Sequence, residues 1–188
     1  MYNGMALDDE TVMNEVRAGD VGRLELLFDR HQPSLVRYFV YVTGNRTLSE
    51  DLAQEAFFRV LKYRHTYQPG ASFRAWLYQI GRNVYADHAG KNKAEVAMPE
   101  ETPELRAADV PADREVQKKQ EALLVRKALA SLPSEKREVL ILSRFQDLKY
   151  EEIATILKCE VGTVKVRVYR AMRELSDRFF ALSGERAS

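Results

Sequence analysis

Lys165, Arg167, Arg170 and Arg173 place four positive charges between positions 161 and 173, where no acidic side chain occurs, in a chain of 188 residues whose net charge is only +1. Such groups neutralise phosphates, and an arginine can also fork two hydrogen bonds onto the edge of a guanine. That chemistry needs a rigid support that points the charges one way. Val164, Val168, Ala171 and Leu175 recur at steps of four, three and four, the period of a helix whose apolar stripe faces a core, so the basic side chains fall on the opposite side. Ile153, Ala154 and Leu157 form a second stripe, leaving Lys158, Cys159 and Glu160 for a turn. Gly162 and Thr163 open the later helix, whose unpaired N–H groups can receive a phosphate. A solvated basic helix is the plainer reading of the charge alone. Helix-turn-helix spacing, the small Ala154 at the crossing and the one-sided charge together favour a helix that enters the DNA major groove.

A second set lies upstream. In the stretch Phe73-Arg-Ala-Trp-Leu-Tyr-Gln-Ile-Gly-Arg-Asn83, the spacing assigns Phe73, Trp76, Leu77, Ile80 and, just beyond, Val84 to a core. Arg74, Tyr78, Gln79, Arg82 and Asn83 are left more exposed, offering phosphate contacts, base-edge hydrogen bonds and stacking surfaces of the kind that hold single-stranded nucleic acid. On composition alone a solvated helix is the favoured explanation of them. Gly81, in the helix interior, points to a close approach there. Tyr67, Gln68, Pro69, Gly70 and Ala71 form a turn-rich loop ahead of this helix. A third helix is expected to open at Thr47-Leu-Ser-Glu50, which has the spacing of a capping box. Its stripe of Leu52, Ala56, Phe57, Val60 and Leu61 leaves Asp51, Gln54, Glu55, Phe58, Arg59 and Lys62 outside, and an aromatic ring among charges is the pattern of a protein-binding face, although spacing alone fits a Phe58 at the margin of the core nearly as well.

Nothing in the chain points to bond-making chemistry. The one cysteine, Cys159, allows no internal disulfide, and His31, His65 and His88 are too scattered to suggest a metal site. No phosphate-binding Gly-x-x-x-x-Gly-Lys loop or His-Glu-x-x-His pair occurs, so neither cofactor, metal nor enzymatic activity is expected. No apolar run approaches the ~20 residues of a membrane span, and the first residues lack the character of a secretory signal, so the expected place is the cytoplasm, without membrane insertion.

Charge divides the chain in three. Residues 1–93 carry 12 basic and 11 acidic side chains, residues 94–117 carry 2 and 7, and residues 118–188 carry 15 and 10. The middle part holds Pro99, Pro103 and Pro111 and no aromatic residue, the composition of a flexible acidic tether. Strand patterns are absent. The expected fold is all-α: two small helical domains joined by that linker, with helices near residues 9–18, 20–43, 49–64 and 72–89 in the first and 115–131, 134–145, 150–157 and 161–182 in the second.

Taken in order, Asp51-Leu-Ala-Gln-Glu-Ala-Phe-Phe-Arg-Val60, the Phe73 to Asn83 stretch, Leu132-Pro, Tyr150-Glu-Glu-Ile-Ala and Val161-Gly-Thr-Val-Lys-Val-Arg resemble the bacterial extracytoplasmic-function (group 4) RNA polymerase sigma factors across nearly the whole chain. The resemblance implies a region 2 domain over 1–93, a linker over 94–117 and a region 4 helix-turn-helix domain over 118–188. It implies binding of core RNA polymerase, with Asp51, Gln54, Glu55, Phe58, Arg59 and Lys62 on the clamp helices of the largest subunit and a further contact at the flap. Tyr67, Gln68, Pro69, Gly70, Ala71, Arg74, Tyr78, Arg82 and Asn83 would engage the minus-10 element, with Asn83 and the loop capturing a flipped base. Lys165, Val166, Tyr169 and Arg170 would read minus-35 bases, Thr163 and Arg167 would lie nearer phosphate, and Arg173 would complete the basic face. Promoter DNA and an anti-sigma factor are the other implied partners.

Three positions depart from that family's pattern: Val166 replaces a usual serine, Lys149 stands where a capping serine is common, and Lys158 where the turn often has glycine. The segment after Asp87 is also poorer in arginine than usual. A stand-alone helix-turn-helix repressor is the main alternative, but it leaves the N-terminal helices unexplained and no apolar heptad offers a dimer seam. A nucleic-acid enzyme lacks a carrier for its chemistry, and a helical adaptor would make the recognition-helix charge incidental.

Overall fold

The structure, a computed structural model, describes residues 7–91 and 112–184, with side chains described for 7–90 and 120–184. Most of the expected acidic tether lies outside the described residues. Its last part does not: the first helix of the C-terminal domain begins at Ala112 rather than 115, so residues 112–117 are helical.

Among the described residues there are eight α-helices and no strand: α1 Asp9–Ala18, α2 Leu24–Thr43, α3 Arg46–Lys62, α4 Phe73–Lys91, α5 Ala112–Ser131, α6 Ser134–Leu140, α7 Tyr150–Leu157 and α8 Val161–Ser183. Short 3-10 turns at Val21–Arg23 and Arg64–Thr66 precede α2 and follow α3, and a π-helical stretch, Ile141–Phe145, prolongs α6.

Local chemistry sets the ends. Asp8 caps α1 by accepting the Thr11 N–H at 2.7 Å, and that bond holds its carboxyl below the ordinary value. Gly44, with φ of 71°, ends α2, and Asn45 immediately starts α3 by accepting the Leu48 N–H at 2.9 Å. The expected start near residue 49, with Thr47 as cap, is therefore displaced to Arg46. The physical reason is the one-residue joint: with α2 ended by Gly44, the extended Asn45 supplies the cap, and Thr47 falls inside the first turn.

The N-terminal domain packs α2 against α3 and α3 against α4, with α1 laid across. Val12, Met13 and Val16 of α1, Leu27, Leu35, Tyr38 and Phe39 of α2, Leu52, Ala53, Ala56, Phe57 and Val60 of α3, and Phe73, Leu77, Ile80 and Val84 of α4 fill its interior. Trp76, expected in the core, is only half-buried, stacked near Tyr67 at 5.2 Å between ring centroids. Gly81 packs against α2, where an added Cβ would lie 3.4 Å from both Leu35 Cδ1 and Phe39 Cζ, the edge of ordinary contact. In the C-terminal domain α5 and α6 pack on α8, and α7 crosses beside it. Leu129, Leu132, Val139, Leu140, Ile153, Ile156, Val164, Val168 and Ala171 form that interior, with Leu175 at its margin. The two domains touch: α4 lies against α7, and α2 against the π stretch, so one buried cluster runs through both.

Candidate nucleic-acid interface

The turn between α7 and α8 is tight because Lys158 adopts a left-handed conformation, φ 51° and ψ 51°, while the Cys159 N–H returns to the Ala154 carbonyl at 3.0 Å. A lysine thus occupies a conformation that ordinarily favours glycine. At the start of α7 no side chain caps the first turn from Lys149, but the Lys149 N–H donates to Glu152 Oε2 at 2.9 Å, which is half of a capping box. Beyond the turn, Val164, Val168 and Ala171 face inward, and Thr163, Lys165, Val166, Arg167, Tyr169, Arg170 and Arg173 all face outward. Tyr169 is 64% exposed and Val166 47% exposed, so the outer face offers an aromatic ring and an apolar patch among cations. No side chain caps Glu160 at the start of α8, which leaves its first-turn N–H groups open to an anion.

Glu174, a residue the sequence pattern did not single out, anchors this helix. It accepts from Lys136 of α6 and, at 2.7 Å, from Arg178, and these two bonds hold its carboxyl below the ordinary value. Arg178 in turn donates to the Ser131 carbonyl at 2.6 Å, tying the far part of α8 to the end of α5.

On α3 the ring of Phe58 is 58% exposed, with Asp51, Gln54, Glu55 and Lys62 exposed around it. Arg59 is half-buried and engaged, donating to Glu55 Oε1 at 2.7 Å and Asp87 Oδ2 at 2.6 Å; the Glu55 bond first, then the Asp87 bond, raises its pKa. It therefore braces α3 against α4 as well as belonging to the exposed face.

The loop and α4 differ from expectation in an instructive way. Tyr67 is fully buried: its hydroxyl donates to the Ala71 carbonyl, and burial, with Glu10, Asp8 and Asp9 nearby, pushes the phenol up to about 12. It acts as the strut under the loop, while Gln68, Pro69 and Gly70 form the exposed tip and Ala71 is half-buried. The Phe73 N–H donates to Glu10 Oε1 at 3.1 Å, so a carboxylate of α1 sits at the start of α4. Asn83 is exposed. Tyr78, expected on the exposed side, is 1% exposed, and Arg74, Gln79 and Arg82 are half-buried. The reason is the neighbouring domain, which covers this face; helical spacing within α4 carries no information about it.

The geometry thus gives three polar faces on one two-domain helical chain, and known sequences match both halves of it. Residues 27–95 match the model of sigma-70 region 2, and residues 122–175 match that of sigma-70, region 4. The ECF RNA polymerase sigma factor EcfG of Rhodopseudomonas palustris is 35% identical over 144 residues, which cover 77% of this chain and 78% of that protein. The chain belongs to the extracytoplasmic-function family of RNA polymerase sigma factors. SigL of Mycobacterium tuberculosis, another ECF RNA polymerase sigma factor, is 31% identical, covering 84% of this chain and 89% of its own. The RNA polymerase sigma-H factor of Pseudomonas aeruginosa is 29% identical over 90% of this chain and 92% of its own. Two solved structures share the fold of this sigma factor: CnrH in complex with the cytosolic domain of CnrY, with a TM-score of 0.70, 23% identity, and coverage of 92% of this chain and 97% of that one, and the sigma factor RpoE in complex with the anti-sigma factor NepR from Bartonella quintana, with a TM-score of 0.65, 24% identity, and coverage of 82% and 94%. The α3 and α4 faces fall within the region 2 match, and the outward face of α8 within the region 4 match.

Proposed function

We propose that this sigma factor grips a promoter at two points while its third face holds core RNA polymerase. The face of α3 made by Asp51, Gln54, Glu55, Phe58, Arg59 and Lys62 docks on the clamp helices of the largest subunit, and the C-terminal domain meets the flap. The outer face of α8 reads the minus-35 element: Lys165, Val166, Tyr169 and Arg170 approach base edges, and Thr163, Arg167 and Arg173 approach phosphate. The loop tip of Gln68, Pro69 and Gly70, together with Ala71, Arg74, Tyr78, Arg82 and Asn83, holds the opened minus-10 strand, with Tyr67 supporting the loop from beneath. Residues 1–93 and 118–188 serve as the two working domains, and group 4 is the subclass proposed for the chain, a reading supported by its matches to regions 2 and 4.

The protein breaks no bond in this scheme. Holding unpaired bases offsets an unstacking cost of a few kcal/mol per step, which shifts the polymerase–promoter equilibrium toward the melted state. The observation that carries the reading is the outward face of α8, where Lys165, Arg167, Arg170 and Arg173 form no ion pair with any described acid while its opposite side is buried. RpoE of Bartonella quintana is held by an anti-sigma factor, and we extend that kind of partner to this chain. Work with the polymerase places it in the cytoplasm; no helix among the described residues is long and apolar enough to cross a membrane.

Permanganate footprinting of a responsive promoter with reconstituted holoenzyme tests the scheme. Reactive thymines around the minus-10 element are expected with the wild type, and Asn83→Ala is expected to reduce their reactivity while filter binding to the closed promoter persists. Undiminished reactivity with Asn83→Ala would remove Asn83 from base capture. Thymines that stay unreactive with the wild type would remove promoter opening from the function.

A further inference from the structure

The loop ahead of α4 carries its own shape but not its own position. Pro69 and Gly70 stand at the second and third places of a four-residue turn closed by the Ala71 N–H on the Gln68 carbonyl at 3.1 Å, and Gly70 has φ of 82°, the pattern of a type II turn. Such a turn moves as a unit, so its placement beside Asn83 depends on where its two ends are fixed. One end is Tyr67, buried, with its ring centroid 5.2 Å from that of Trp76 and its hydroxyl on the Ala71 carbonyl. The other is Phe73, fully buried and the first residue of α4.

Two neighbouring acids of α1 converge on Phe73. Glu10 Oε1 accepts its N–H at 3.1 Å from 63 positions away, and this is one of the first-turn donors that a helix leaves without an internal partner. Ser72 Oγ accepts a second, from the Ala75 N–H at 3.3 Å, so the start of α4 is capped partly by its own chain and partly by α1. Asp9 works on the ring side. Its Oδ2 lies 2.6 Å from His31 Nε2, its Oδ1 accepts from Arg30 at 2.9 Å, and the His31 ring, itself buried, lies 5.3 Å from the Phe73 ring between centroids. Backbone and side chain of one residue are thus held from α1, the first directly and the second through His31. Glu10 also lies near enough to Tyr67 to add, after burial, to the forces that keep its phenol protonated. Both ends of the turn therefore feel the same carboxylate.

We propose that Glu10 is a positioning residue for capture of the minus-10 base: by holding the first turn of α4 it sets the place of Gln68, Pro69 and Gly70 relative to Asn83. The inference rests on the reading given above, in which that loop and Asn83 take the base. Groups that grip one unpaired base must be held closely, because a site about 1 Å too loose forfeits much of its binding. Without Glu10, α4 stays a helix, since Ser72 still caps it and Phe73, Leu77, Ile80 and Val84 still bury its inner side. Its first turn frays, however, and the turn ahead of it loses a fixed end. What the Phe73 N–H requires is an accepting oxygen at the right reach, and the negative charge is secondary.

The test uses reconstituted holoenzyme and a fluorescein-labelled fork-junction DNA, copied from a promoter that the holoenzyme selects from a library, with the non-template strand of the minus-10 element left single. Each nucleotide of that strand is replaced in turn by an abasic one, and affinity is read by anisotropy. The wild type is expected to lose about tenfold at the captured base and little elsewhere. With Glu10→Ala the loss at that position is expected to shrink to about twofold, because the base is no longer gripped. Glu10→Asp keeps the charge but shortens the reach, and is expected to follow Glu10→Ala. Glu10→Gln keeps the reach and an accepting oxygen without the charge, and is expected to stay close to the wild type. A ratio of two affinities on one preparation does not depend on how much of it is folded, so a loss of folding alone leaves the abasic effect at its wild-type size. A full-sized abasic effect in Glu10→Ala would overturn the positioning role. So would an effect in Glu10→Gln as small as in Glu10→Ala, since the accepting oxygen would then not be its source. A wild type with no abasic-sensitive position would instead remove base capture from the loop and Asn83, and the positioning role with it.

Discussion

Arg170 and Arg167 stand on the same exposed face of α8, yet different roles are assigned to them, and the two roles have different signatures. Arg170→Ala is expected to narrow the preference between related minus-35 sequences by about 1–3 kcal/mol, measured as relative affinities of the holoenzyme for a set of single-base variants. Arg167→Ala is expected to weaken all sequences alike and to lower the salt slope of binding by about one. Uniform loss for Arg170→Ala would reassign it to phosphate. Lys158 makes a separate point about stability. A non-glycine residue held at φ 51° is strained, and Lys158→Gly is expected to raise the unfolding free energy by about 0.5–1 kcal/mol in urea denaturation, after allowing for the greater chain entropy of glycine. At Glu174 the carboxyl lies below its ordinary value of 4.5 because Lys136 and Arg178 donate to it. A lowered value means that its stabilising effect is present above 4.5 and is lost as pH falls through the lower, folded-state value. The melting temperatures of wild type and Glu174→Gln should therefore differ at neutral pH and converge in acid; a constant gap across that range would show that the ion pairs are not the source. Position 174 was not legible as a site because an acid four residues before an arginine on a helix is ordinary surface patterning, and Lys136, 38 residues away, is what gives it its role.

Among the elements, α8 divides cleanly into an inward and an outward side, and on α3 the ring of Phe58 stands on the outward one. Phe58 contributes little to the interior, so Phe58→Ala is expected to leave the melting temperature within a degree or so while weakening binding to core polymerase by about 2 kcal/mol, measured by competition with a labelled sigma factor. A fall in stability with unchanged polymerase affinity would make Phe58 a core residue after all. The helix-turn-helix elements are legible nearly to the residue: α7 spans the expected 150–157 and ends at the left-handed Lys158, and α8 runs one residue past the expected 182, to the left-handed Gly184. The start of α3 was less legible. Thr47 and Glu50 carry the right pair of residue types, but Gly44 and Asn45 form a competing stop-and-start signal one turn earlier, and Asn45 makes the bond. At Gly81 an added Cβ would meet Leu35 Cδ1 and Phe39 Cζ at 3.4 Å, the edge of ordinary contact, so this buried interior glycine packs against α2 without being required by it.

At the scale of the whole molecule, the three polar faces proposed for core polymerase and for the two promoter elements lie on two helical domains that touch each other. Periodicity reported the helices and charge reported the domain division, both from residues near one another in sequence. The contact between the domains joins Arg82 to Glu138 across 56 positions and Tyr38 to Glu138 across 100, and no local pattern announces such pairs. That is why Tyr78, Arg74 and Arg82 were expected to be more exposed and are instead covered, whereas Asn83, on the same helix but beyond the contact, is exposed. The most direct measurement adds the purified chain to core RNA polymerase and a promoter library and sequences the transcripts. New start sites that share two elements at a fixed spacing are expected, and they should disappear when either the α8 cations or Phe58 are removed. The absence of any polymerase-dependent initiation, with tight binding of the chain alone to isolated palindromes, would contradict the sigma-factor function and favour a repressor.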